Sequence, residues 1–245
     1  MTDWHTHIGQ FNETFYDYRY VFFAMKKNGV SECWCAYLTP KYDDVNQSVD
    51  FAGCVVSEIE KAQSYSKKIN LKVNFLCWID PILLSERKLT VDEYLKMFDY
   101  KGIAVHPFHC WHTGELQQVF EYAEKTKLPI FIHTGVSEND NPLMFEQFFS
   151  DFSNVEVHLA HCKESEAIIR LFSKYPNLSG DTAFCPEDSY RAICNAGFKD
   201  RMLLGTDFPI THWYRHYEEE KKDVSVCSLT ENYKQTLKEM RWFER

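Results

Sequence analysis

The chain predicts an α/β fold, a single (β/α)8 TIM barrel over residues 1–245 with its active site at the C-terminal ends of the strands. Three observations carry that prediction. Eight strand-like segments alternate with helix-like ones, and the gaps are long enough for the helical crossovers that parallel strands need. Four of the apolar runs end in metal-competent side chains: His5 with His7, then His133, His161 and Asp207. The competing arrangement, an open doubly wound sheet, wants a glycine-rich first turn for phosphate, and none is present.

The strand segments are 2–7, 32–38, 72–79, 102–106, 129–134, 155–161, 178–182 and 202–207. Asn28-Gly29 stops a first helix. Thr90-Val91-Asp92-Glu93 is a capping box ahead of Tyr94, Leu95 and Phe98. Thr113 caps a helix over 115–125, where Leu116, Val119, Phe120 and Ala123 follow helical spacing. Asn141-Pro142 reads as an N-cap and first-turn proline before Phe145, Phe148 and Phe149. A second capping box, Ser228 to Glu231, opens a C-terminal helix toward Trp242.

Composition bounds the function. A hydrophobic fraction of 44% and an aromatic fraction of 16% are those of a packed globule. The net charge of −9 and the lack of a long basic cluster argue against nucleic acid and membrane partners and for solubility, and the partner expected is a small-molecule substrate. No apolar run approaches the roughly 20 residues that span a bilayer. Nine cysteines form no regular framework, and Met1-Thr2-Asp3-Trp4 runs straight into His5 without a leader, so a cytoplasmic protein with reduced thiols is expected. Cys33-Trp34-Cys35 is the one close pair, and the reading preferred for it is buried core. A homodimer is compatible with all of this.

The chemistry lies in the strand ends. Side chains two apart on a strand point the same way, so His5 and His7 reach one ion. His133 and Asp207 complete a set of three neutral imidazoles and a carboxylate, which suits one Zn²⁺, with Mn²⁺ or Fe²⁺ as alternatives. Such a site lowers the pKa of a water toward about 7. Asp207 is both ligand and proton acceptor. His161, on the parity of Val155, Val157 and Leu159, reaches the same mouth as a further ligand or as a proton donor and substrate polariser. His158 has the opposite parity and is expected to face the surrounding helices.

Taken together these stretches resemble the amidohydrolase superfamily, and within it the amidohydrolase-2 branch related to aminocarboxymuconate-semialdehyde decarboxylase. The resemblance runs through His5-X-His7, Ile79-Asp80-Pro81, Gly102-Ile103-Ala104-Val105-His106-Pro107, Pro129-Ile130-Phe131-Ile132-His133-Thr134-Gly135, Leu159-Ala160-His161-Cys162, Tyr175-Pro176-Asn177-Leu178 and 201–209. It implies that His5, His7, His133 and Asp207 bind metal and that His161 binds a second ion or acts in catalysis. Many two-metal relatives carry a bridging lysine or glutamate on the fourth strand, where this chain has Ala104. That departure favours a single ion, leaves Asp207 and His161 as the catalytic pair, and weakens a TatD-like nuclease reading.

Around the mouth, His106, His109 and Trp111 are the candidates for substrate contact, and His112 lies nearby. His212-Trp213-Tyr214-Arg215-His216 reads as a packed surface loop. Arg19, Lys163 and Arg191 each qualify to hold a substrate carboxylate, and the sequence does not choose among them. The leading expectation is a metal-dependent hydrolase of an ester, lactone or amide bond. The alternatives are a nonoxidative decarboxylase of a small unsaturated or aromatic acid using the same ligands, and a noncatalytic metal- or ligand-binding barrel.

Overall fold

The computed structural model describes residues 1–38, 49–79, 90–107, 113–135, 140–216 and 224–244. Its strands, in chain order, are β1 (Thr2–Phe11), β2 (Thr14–Tyr16), β3 (Glu32–Leu38), β4 (Lys72–Ile79), β5 (Gly102–Val105), β6 (Ile130–Ile132), β7 (Val157–Leu159), β8 (Leu178–Asp181) and β9 (Met202–Leu203). The helices are α1 (Tyr18–Lys27), α2 (Val49–Lys68), α3 (Val91–Lys96), α4 (Thr113–Thr126), α5 (Glu146–Asp151), α6 (Ser165–Lys174), α7 (Glu187–Ile193), α8 (Ile210–Arg215) and α9 (Val226–Glu239). Among the described residues no helix is long and apolar enough to cross a membrane. The chain forms two compact units, Met1–Phe75 with Leu204–Arg245, and Leu76–Leu203.

In the first unit β1 lies parallel to β3, with Thr2 opposite Glu32 and Gly9 opposite Leu38. The register shifts between Asp3 and Thr6, where β1 spends one more residue than β3, and an extra residue of this kind re-aims the side chains beside it. β1 also turns back on β2 as an antiparallel hairpin that the strand pattern did not foretell. Gly9 is required: its φ is +98°, and a Cβ there would stand 2.3 Å from the Leu38 carbonyl oxygen. α1 starts at Asp17, whose carboxylate accepts the Arg19 N–H, and buries Val21, Phe22, Ala24 and Met25. It ends as expected at Asn28 and Gly29, with Gly29 at φ +88°. Asn28 Nδ2 bonds both Ala24 O and Thr230 O, which ties α1 to α9.

α9 starts one turn earlier than the sequence suggested. Ser225 has extended backbone and its hydroxyl accepts the Ser228 N–H, while the Ser228 hydroxyl accepts the Ser225 N–H. Ser228 is therefore the third helical residue of the capping box and not its cap, and Glu231 stands exposed beside Lys234. The segment 212–216 is a further correction: it lies in α8 and its end, and His212 and Trp213 are buried. Arg215 there bonds Asn232 O, Thr236 and Glu239, so it is committed to α9.

The organising group of this unit is Asp3, fully buried. Its carboxylate accepts from His5 N at 3.2 Å, Thr206 N at 3.1 Å, Thr206 Oγ1 at 2.6 Å and Tyr233 Oη at 2.7 Å. One side chain thus joins β1, the segment 204–208 and α9. That segment runs beside β1 through Trp4 N to Leu204 O, Asp207 N to His5 O and His7 N to Phe208 O, at 2.7–2.8 Å. Cys33 and Cys35 are both buried core, and burial pushes the Cys35 thiol up to about 12.

In the second unit β4 through β9 pair in sequence order, and each pairing from β4–β5 to β8–β9 is parallel. One face carries Ile103, Val105, Ile130, Ile132, Val157 and Leu159, all buried. α4 covers apolar surface with Leu116, Val119, Phe120 and Ala123, and α6 with Ala167, Ile168, Leu171 and Phe172. The Thr90 capping box and the Asn141–Pro142 start form as expected.

Desolvation raises the Asp3 carboxyl from 3.8 to about 6. The folded state then holds that proton more tightly than the unfolded chain, so stability falls as pH rises from about 4 to about 6, by about 3 kcal/mol, and levels above. Urea midpoints measured from pH 4 to 7 should fall less steeply for Asp3→Asn than for the wild type. Parallel curves would show that Asp3 does not titrate in this range.

Candidate metal centre

β1 delivers His5 and His7 on one side, as their spacing requires. Their Nε2 atoms stand 3.1 Å apart. Asp207 Oδ1 lies 3.0 Å from His7 Nε2 and 3.5 Å from His5 Nε2. The three side chains are only 13%, 8% and 7% exposed for His5, His7 and Asp207. Asp207 reaches this position from left-handed backbone, φ 52°, which aspartate tolerates better than most residues. Its own N–H is fixed on His5 O, and the preceding Thr206 is held twice by Asp3. Burial lowers the His7 pKa more than Asp207 raises it, so the ring is neutral at pH 7, the form that ligates metal.

These donors fit a divalent ion. Around a tetrahedral centre with bonds of about 2.0–2.1 Å, donor atoms lie about 3.3 Å from one another. The observed triangle of 3.0, 3.1 and 3.5 Å brackets that edge. Two imidazoles and a carboxylate are also the donor types that Zn²⁺, Mn²⁺ and Fe²⁺ accept.

The second unit builds its own histidine cluster. His133 follows β6 and His161 follows β7, and His133 Nδ1 stands 3.0 Å from His161 Nε2. His161 Nδ1 donates to Ala183 O at 2.9 Å, which fixes the ring and aims Nε2 at His133. His106, buried, lies against His133 with ring centroids 4.0 Å apart, and Trp78 stacks on His106 at 4.8 Å. Asp140 Oδ2 is 3.8 Å from His133 Nε2. His109, Trp111 and His112 lie outside the described residues. Ala104 pairs with Phe131 across the β5–β6 ladder, and Lys101 is exposed and bonded to Asp99 at 2.6 Å.

The parity argument for His158 and His161 fails. His158 sits opposite Phe131 on β6 and Ser179 on β8, so it shares the face of Phe131 and His133 and not that of the helix-covered Val157 and Leu159. Its Nε2–H donates to Asp181 Oδ2 at 2.9 Å, and Ser179 Oγ lies 3.1 Å from Nδ1. His161 reaches His133 because the chain leaves strand geometry: φ is +74° at His161 and +39° at Cys162. Alternation ends where the strand ends.

Asp181 is the group that the sequence reading missed. It is fully buried, and its Oδ1 accepts from His161 N at 3.0 Å and Ala183 N at 2.9 Å. It therefore holds both the backbone of His161 and the turn whose carbonyl orients the His161 ring. Its signal was present, since it closes a strand as His133 and Asp207 do. Asp3 had a weaker one, two residues before His5 on the same strand.

A family model described as amidohydrolase matches residues 73–239, and this segment begins after the first-strand histidine pair. No curated protein matches the chain in sequence. Solved structures are similar across nearly the whole length. A TatD-like protein from Archaeoglobus fulgidus is 13% identical with a TM-score of 0.62, over 97% of this chain and 100% of that one. An amidohydrolase 2 from Bifidobacterium longum subsp. infantis is 14% identical with a TM-score of 0.55, over 97% and 98%. A 5-carboxyvanillate decarboxylase from Novosphingobium aromaticivorans, complexed with manganese, is 12% identical with a TM-score of 0.51, over 91% and 78%. These likenesses establish the fold class, the α/β barrel expected from the sequence.

Asp181→Ala would leave the N–H groups of His161 and Ala183 and the His158 Nε2–H buried without their acceptor. It should cost about 3 kcal/mol or more in urea unfolding. A loss below about 1 kcal/mol would mean that the turn is held by something else.

Proposed function

Since the chain belongs to the amidohydrolase family, in its amidohydrolase-2 branch, we propose that it is a metal-dependent hydrolase of an ester, lactone or amide bond in a small molecule. The observation that carries this reading is the convergence of His5 Nε2, His7 Nε2 and Asp207 Oδ1 within 3.5 Å of one another. Members of this family generally use a divalent metal ion. His5, His7 and Asp207 would hold it here, with His133 as the fourth ligand that the family resemblance implies, and Zn²⁺ as the first choice. When bound, the ion supplies a Lewis acid that activates water and polarises a carbonyl.

The residues do the rest. Neutral His7 presents a lone pair without first losing a proton. The Asp207 carboxylate accepts the proton of the attacking water and passes it to the leaving group. His161, kept in orientation by Ala183 O and Asp181, polarises the carbonyl oxygen from Nε2. Its Nδ1 is committed to the backbone, so Nε2 is the atom left to face substrate.

The test combines metal analysis and turnover. Elemental mass spectrometry should find about one ion per wild-type chain, lost in His5→Ala and retained in His161→Asn. On a panel of esters, lactones and amides, Asp207→Asn and His161→Asn should each lower kcat by about 10²–10⁴. Absence of any bound ion after growth with zinc or manganese would sink the reading. Carbon dioxide release without hydrolysis, on a panel of unsaturated and aromatic acids, would replace hydrolase by decarboxylase.

A further inference from the structure

Beside the His133–His161 pair stands a cation and an aromatic ring that the catalytic reading does not use. Three cations were open from the sequence as carboxylate holders, and their surroundings now differ. Arg19 is bonded to Asp17 through both Nε and Nη2. Arg191 is bonded to Glu187 one turn away on α7, at 2.9 Å from its Nε. Lys163 makes no ion pair among the described residues. Its stem lies on Gly135, where an added Cβ would meet its Cβ at 3.4 Å and its Cδ at 3.7 Å. Gly135 follows His133 by two residues and takes φ +76°.

The Lys163 ammonium instead faces the Phe184 ring, 5.9 Å from its centroid, and the same ring lies 6.1 Å from the His161 imidazole. Phe184 is doubly unusual. It sits in left-handed backbone, φ 49°, which a bulky residue adopts at a cost, and it stays 39% exposed there. The turn that imposes this conformation is fixed by Ala183 N on Asp181 and Cys185 N on Thr182 O. On its other side Lys163 lines an open cavity of 580 Å³ with Leu143, Glu164, Glu166 and Arg170, which Phe184 does not line, so the subsite rests on the Lys163–Phe184 pair and not on that cavity.

We infer that Lys163 and Phe184 form a substrate subsite for a planar organic acid, Lys163 pairing with its carboxylate and Phe184 stacking on its unsaturated system. An ammonium and an aromatic face held next to each other recognise the two halves of such a molecule. The assignment deepens the hydrolase reading and rests on it only in placing the reacting bond beside His161.

The test uses benzoate and its neutral isostere benzamide as probes, titrated by ligand-observed NMR against the full chain. The wild type should bind benzoate about tenfold more tightly than benzamide. Lys163→Met, which keeps the stem and removes the charge, should abolish that preference, and Lys163→Arg should restore most of it. Phe184→Leu should weaken both probes. Equal binding of the two probes by the wild type, or a preference that survives Lys163→Met in a variant with an unchanged melting curve, would overturn the assignment. Metal content measured on the same samples separates the readings: a chain without metal that still prefers benzoate keeps the subsite and loses the hydrolase.

Discussion

A buried carboxylate with four donors around it is the constraint on which the first unit rests. Asp3 has no water to solvate it, so every lone pair has to be answered by protein. The answers come from His5, Thr206 and Tyr233, that is, from the first strand, from a segment some two hundred residues later and from the last long helix. Placing Asp207 beside His5 and His7 follows from this, because Thr206 is its immediate neighbour. A carboxyl that is costly to bury is retained where its bonds fix the position of donors whose spacing matters to a few tenths of an ångström.

The second unit repeats the device with different parts. Asp181 gives one oxygen to two backbone N–H groups and the other to His158. Its effect on His161 is indirect, through the carbonyl of Ala183. In both units, then, a buried aspartate binds backbone and a neighbouring histidine points its ring nitrogen into the cluster. Support of this kind is what keeps ligating and proton-carrying side chains from drifting among rotamers.

Much of this was legible in the sequence, for physical reasons. β3 and β4 fall at the expected bounds because their runs are apolar and flanked by helix stops and starts. His5 and His7 converge as alternation predicts, although the β1 register shifts between Asp3 and Thr6 just beside them. The same rule misled where the strand had ended: positive φ at His161 and Cys162 reverses the side-chain direction, and no pattern of residue types announces it. β2 escaped notice because three residues are too short for a period to register. The early start of α9 was hidden because serine caps and serine interiors look alike until the hydroxyl partners are known. Lys163 was one of three equivalent cations until the acids beside the other two were seen.

The buried cysteines bear on which ions the proposed site would take. Cys33, Cys77 and Cys162 lie in the interior and burial holds each thiol well above its ordinary pKa, so these sulfurs stay protonated at neutral pH. A protonated thiol is a poor ligand for the thiophilic ions, copper(I) and cadmium, which bind thiolate most strongly. The donors that an ion would meet at His5, His7 and Asp207 are therefore nitrogen and oxygen of intermediate hardness, while the core sulfurs are withheld first by desolvation and, at Cys33 and Cys162, by the nearby Asp3 and Asp181 carboxylates as well.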